Sequence, residues 1–249
     1  MVLYSVNVVR GKRVIIWNKN RSRGLKEAKD RIGDIAQIAR QLLKKKNKIK
    51  VLEVGCGYGK LLLDLKRVFG ERVDVVGINV EKRWNQGLVR RFVLAHKLFS
   101  KKSIDKNLPK IIIADAGMKF PFSSNYFDLV ISQSCIQYVH DKVNFLEEIN
   151  RVLTPRGIAH TDFQDNTGDQ PIEYQHLFEI WDGKKRIPVQ KLLKKYGLII
   201  KKAKLRKEGY IIMKKMNTFR LPLKLVGVIN THEINKEWWG NKSVYVIQK

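Results

Sequence analysis

Three glycines at alternate positions, Gly55, Gly57 and Gly59, with an acid two residues ahead at Glu53, form the stretch whose spacing most plainly suits chemistry. Glycines so placed let the chain turn tightly and let a ligand lie against main chain, its polar groups near the start of the helix that follows. The spacing excludes two common ligands. A dinucleotide turn needs G-x-G-x-x-G, and here the third glycine comes one residue early, with Lys60 in its place. A phosphate-cradling G-x-x-x-x-G-K-[ST] is absent as well. On these residues alone a tight structural loop without a ligand stays open.

Read with its neighbours, the stretch resembles motif I, E/D-x-G-x-G-x-G, of class I S-adenosylmethionine-dependent methyltransferases, which Glu53, Gly55, Gly57 and Gly59 match in full. The resemblance runs over about residues 47–165. It implies S-adenosylmethionine as cofactor, with Glu53, Gly55, Cys56, Gly57 and Gly59 on its near side and Ser132 and Gln133 after the fourth core strand. In the family an acid ending the second strand holds both ribose hydroxyls. Asn79 stands there, followed by Val80 and Glu81. Asparagine both donates and accepts, and Glu81 could reach the same hydroxyls, so Asn79→Asp is expected to be tolerated or to improve affinity. The acid ending the third strand, which pairs with the adenine amino group in the family, is matched by Asp115, with Ala116 beside it.

Methyl transfer from a sulfonium asks for alignment and, for some acceptors, removal of a proton. Weak candidate bases are His140, His160 and Asp162; for each histidine a structural role is the favoured reading. Gln137 and Tyr138, in the loop after strand four, are candidates for lining an acceptor pocket, and Trp238 and Trp239 for stacking on a base. That loop reads Ser132-Gln133-Ser134-Cys135 and lacks the D/N-P-P-Y that grips an exocyclic amine. Cys135 lacks the Pro-Cys context of cytosine-C5 methyltransferases, so it reads as a packed thiol. No metal site is expected.

Elements that would hold these residues follow from pattern. Val51, Leu52 and Val54 read as a buried strand before the glycines, and Leu61, Leu62, Leu63 and Leu65 open a helix after them. Residues 73–78 and 110–116 read as the next two strands, 127–132 as the fourth and 158–163 as the fifth. Leu25 to Leu43 carries helical spacing and is expected as one helix; residues 1–17 alternate weakly, as a small hairpin or a cover strand. The fold class is α/β, a doubly wound, seven-stranded, mostly parallel sheet with an antiparallel last strand and helices on both faces. The sixth strand is expected at 198–201 and the last at 243–247. Residues 1–46 are expected as a basic extension and helix, and 47–249 as the Rossmann-like domain with a basic insertion at about 204–237.

Charge adds a second theme. The formal net charge is +27, and it is not uniform. Residues 1–50 hold 15 Lys/Arg against 3 Asp/Glu, residues 51–182 hold 17 against 17, and residues 183–249 hold 18 against 3. A neutral core with basic flanks suits a polyanionic partner, with RNA favoured, because clustered Lys and Arg gain affinity by releasing counterions from phosphates. An acidic membrane surface and the bias of an AT-rich genome are the alternatives. The flanks are expected to converge on the acceptor side, at the carboxyl ends of the strands. Two cysteines and no apolar run near 18 residues suggest a cytoplasmic protein with no membrane span; a protein partner stays open. Together these make a methyltransferase of RNA or another nucleic acid the leading expectation. A small-molecule methyltransferase and a non-catalytic cofactor-binding subunit are its rivals.

Overall fold

The computed structural model describes residues 23–161 apart from 83, 137, 138 and 140. It also describes strand segments at 4–9, 12–17, 163–164, 180–182, 185–187, 211–214, 224–230 and 242–248. β1 (Tyr4–Val9) and β2 (Lys12–Trp17) pair antiparallel as a hairpin. There follow α1 (Leu25–Arg31), α2 (Ile35–Leu43), β3 (Ile49–Val54), α3 (Lys60–Phe69), β4 (Val73–Asn79) and α4 (Gln86–Ala95). After the short α5 (Ile104–Asn107) come β5 (Lys110–Ile113), β6 (Phe127–Ser132), α6 (Lys142–Val152) and β7 (Leu153–Thr161).

β3 to β7 pair parallel in the order β7-β6-β3-β4-β5. β3 lies at the centre, so both of its faces are buried and its sequence is nearly all apolar. On one face Leu52 and Val54 pack with Phe145, Ile149 and Val152 of α6. On the other, Ile49 and Val51 pack with Leu61, Leu62 and Leu65 of α3 and with Ala28, Ile32, Ile35 and Ala39 of α1 and α2. Residues 25–43 therefore share the core of the sheet. β5 is the edge, and a side chain covers its backbone: Gln86 accepts from Ile111 N at 2.9 Å and donates to the Pro109 carbonyl at 2.9 Å. Past β7 the strand at 211–214 pairs antiparallel with it, and the strands at 242–248 and 224–230 follow outward. The sixth strand expected at 198–201 lies outside the described residues.

Two expectations are corrected here. The helix expected over 25–43 is two helices. Gly33 adopts φ +101°, which ends α1, and Asp34 caps α2 by accepting from Gln37 N at 2.9 Å. Apolar periodicity carries through the break because both helices bury the same face against α3 and the sheet. Secondly, Lys44, Lys45 and Lys46 do not border the acceptor side. They join the end of α2 to the start of β3, which is the amino end of the strands and opposite the glycine loop. Lys46 pairs there with Asp128 at the start of β6, and Lys48 pairs with Asp74 near the start of β4. The connection of a helix to a parallel strand must lie at that end.

Candidate functional site

The glycine loop leaves β3 at Gly55 and is stitched to the neighbouring strand, with Gly55 N and Cys56 N both donating to the Ile78 carbonyl at 2.9 and 3.2 Å. Gly55 has φ +74°, and a Cβ there would collide with Sγ of Cys135. At Gly57, with φ +51°, a Cβ would meet nothing nearer than the Trp84 ring at 3.8 Å. The first glycine is thus required by packing, and the second leaves a cradle walled by the Trp84 ring, with room for a Cβ against it. Gly59, also left-handed, starts α3.

Around this cradle the carboxyl ends of the strands present polar atoms without partners. Glu53 is 4% exposed and its Oε2 meets no hydrogen-bond partner. Burial, with the charge of Asp64 adding to it, pushes the Glu53 carboxyl well above its ordinary range. Across the sheet, the Ser132 hydroxyl and both amide atoms of Gln133 are buried and unpartnered. Val54 and Ser132 are paired in register, so these groups sit on adjacent strand ends. They are the only buried side-chain nitrogens or oxygens without a partner among the described residues. Buried polar groups are normally satisfied, and a concentration of exceptions at one end of a parallel sheet marks a ligand site.

The other residues singled out from sequence divide. Val80 is exposed just past β4, as are Ile113 at the end of β5 and Met118 beyond it, which puts apolar surface on the β4–β5 side of the site. Asp115 Oδ1 accepts from Gly117 N at 2.7 Å, and Ala116 is buried. The loop they occupy is tied to α6 by three side chains one turn apart. Asn144 donates to Gly117 O at 3.0 Å, Glu148 accepts from Phe120 N at 2.7 Å, and Arg151 donates to the carbonyls of Phe120 and Phe122. Burial pushes Glu148 up, but the Arg151 guanidinium and the Phe120 N–H outweigh it and hold the carboxyl below its ordinary range. Sequence reading missed this clamp, although its i, i+4, i+7 spacing on a helix was available as a signal.

Cys56 is buried beside Gly77, and burial pushes its thiol up, so it is a packing residue of the loop rather than a nucleophile. His160 is 2% exposed, and its Nδ1 lies 2.6 Å from the Ile32 carbonyl between α1 and α2. That bond ties the helical layer to β7, a structural role. Asn79 is buried and its amide is engaged by the glycine loop itself, while Glu81 is half-buried in the turn that follows β4. Gln137, Tyr138, His140, Asp162, Trp238 and Trp239 lie outside the described residues. No group of three or more His, Cys, Asp or Glu that could hold a metal occurs among the described residues, and no helix among them is long and apolar enough to cross a membrane.

Residues 52–161 match a family described as a methyltransferase domain. Over 106 residues the chain is 30% identical to a norajmaline N-methyltransferase of Rauvolfia serpentina, covering 42% of this chain and 32% of that protein. Over 111 residues it is 31% identical to a demethylmenaquinone methyltransferase of Staphylococcus aureus, covering 45% and 41%. The chain thus spans less than half the length of these relatives. A solved S-adenosylmethionine-dependent methyltransferase from Aquifex aeolicus aligns with 88% of this chain and 92% of its own at 18% identity and a TM-score of 0.48. Residues 52–161 are thus similar to a methyltransferase domain. They are laid out on a Rossmann-like parallel sheet.

Proposed function

We propose that the chain is an S-adenosylmethionine-dependent methyltransferase acting on a small-molecule acceptor. The observation that carries this reading is the set of unpartnered buried atoms on Glu53, Ser132 and Gln133 beside the open cradle at Gly57. These residues fit the cofactor. A buried, partnerless carboxyl suits the ammonium of the cofactor's amino-acid end, and the open side of Gly57 suits close approach of the ligand to main chain. Val80, Ile113 and Met118 offer apolar surface to the adenine, with Asp115 at its amino group as the family resemblance implies. When bound, the cofactor supplies a sulfonium methyl that an acceptor lone pair displaces. The chain's own residues bind, orient and exclude water. None of the described residues at the site is placed as a base, so an acceptor that arrives with a free lone pair suits it best.

The small-molecule acceptor is supported by the relatives, whose names specify an alkaloid, a quinone precursor and, for a protein of Actinopolyspora halophila, glycine and its methylated forms. It is supported too by the Lys44–Lys46 run lying away from the cofactor end. RNA is the second reading, favoured by the 18 Lys/Arg against 3 Asp/Glu in residues 183–249. Two free cysteines among the described residues support a cytoplasmic setting. The test is methyl transfer from labelled S-adenosylmethionine to small amines, to quinol precursors and to total RNA. Label in the RNA alone would overturn the small-molecule acceptor. Label in no acceptor, with cofactor bound, would favour a non-catalytic subunit.

A further inference from the structure

We propose that Asn79 is a positioning residue, one that locks the glycine loop into its cofactor-accepting shape and does not itself hold the ribose. The inference rests on the cofactor reading above. Asn79 ends β4 and is 5% exposed. Its Oδ1 accepts from Gly57 N at 2.8 Å, and its Nδ2 donates to Gly57 O at 3.1 Å and to Trp84 O at 2.9 Å. One N–H and two carbonyls surround the amide, so its orientation is fixed by chemistry: oxygen toward the donor, nitrogen toward the two acceptors.

One side chain therefore grips both polar groups of a single residue, as a neighbouring strand would. That residue is Gly57, left-handed, where an added Cβ would meet only the Trp84 ring at 3.8 Å. The third bond fastens the turn after β4, closed by Trp84 N donating to the Glu81 carbonyl at 3.0 Å. Loop and turn are the two walls of the cradle, and Asn79 is the tie between them. Both of its donors are engaged before any cofactor arrives.

The expectation drawn from the family acid is thereby reversed. Asn79→Asp would set a carboxylate oxygen against the Gly57 and Trp84 carbonyls, three acceptors facing one another in a buried place with only the weak Cys56 S–H donor nearby. A protonated carboxyl would restore one donor. The titratable groups around the position are Cys56, in hydrogen-bond reach of Asn79, Glu53 beyond it, Tyr58 in the loop, Glu81 and Lys82 in the turn, and Asp115 after the neighbouring β5.

The experiment is calorimetry of S-adenosylhomocysteine with wild type and Asn79→Asp between pH 5.5 and 8. Alongside it, the 2′-deoxy analogue is titrated into wild type and Asn79→Ala. At pH 8 the N79D variant should bind at least tenfold more weakly than wild type, and the deficit should shrink as pH falls. Loss of the 2′-hydroxyl should cost the same factor in wild type and N79A. Equal or tighter binding by N79D at pH 8, or a deoxy penalty that vanishes in N79A, overturns the proposal. Absence of wild-type binding would instead overturn the cofactor reading. Should the variants not fold, side-chain amide exchange in ligand-free wild type decides: protected Asn79 protons support the tie, and rapid exchange refutes it.

Discussion

Replacing Glu53 by glutamine should move cofactor affinity and stability in opposite directions. The carboxyl is 4% exposed with an unpartnered oxygen, and glutamine keeps its size while removing the charge. A buried hydrogen bond to a charged group contributes about 1.5–3 kcal/mol, so loss of the ammonium's partner should weaken S-adenosylhomocysteine binding about 10- to 150-fold. Stability without ligand follows the proton. In the unfolded chain Glu53 releases its proton near pH 4.5, and burial and then Asp64 hold it on the folded chain to a higher pH. Across that window the folded state binds the extra proton, so wild-type stability falls as pH rises from about 4.5 through the raised value and levels off above it. E53Q lacks this loss. Its melting temperature relative to wild type should climb between pH 5 and pH 8. Calorimetry and thermal melts at several pH values give both quantities. A variant that binds the cofactor as wild type does would refute the assignment of Glu53 to the ligand, and a pH-independent melting difference would refute its elevated pKa.

Three further outcomes follow from the same structure. Gly57→Val should abolish cofactor binding while leaving the sheet folded, because the branched side chain occupies the cradle at φ +51°; unchanged affinity by calorimetry would place the ligand elsewhere. Asp128→Ala should lower stability by about 2–3 kcal/mol, roughly 5–10 °C in melting temperature, with little effect on cofactor affinity. Asp128 is buried at the amino end of the sheet and accepts from Lys46, from Lys50 N at 2.9 Å and from Thr154 Oγ1 at 3.2 Å, and solvent screening at the half-exposed Lys46 keeps that pair's share small. If RNA is the acceptor, neutralising Lys201, Lys202 and Lys204 should flatten the salt slope of RNA binding by about one unit for each phosphate no longer paired with a lysine, and a salt-insensitive wild type would remove RNA from consideration.

The sequence alone determined the core of this protein because its signals are local. An apolar run before alternating glycines, and helical periodicity after them, specify strand, turn and helix without reference to anything distant. The expected ligand came from the resemblance of that stretch to motif I, while the glycine spacing itself excluded only a dinucleotide turn and a phosphate-cradling loop. What only the tertiary structure decided are matters of direction and partnership. Asn79 stands where the family pattern implies a ribose ligand, and only the fold shows its amide between Gly57 and Trp84, partners 22 and five residues away in sequence. The sequence favoured a structural role for His160, and the fold supplied its partner, Ile32, 128 residues distant, at Nδ1. The basic run at Lys44 looked available to an acceptor until the connection of α2 to β3 put it at the opposite end of the sheet. All three have one physical cause: a polar side chain takes its role from the groups that surround it in space, and composition carries no record of which end of a strand they face.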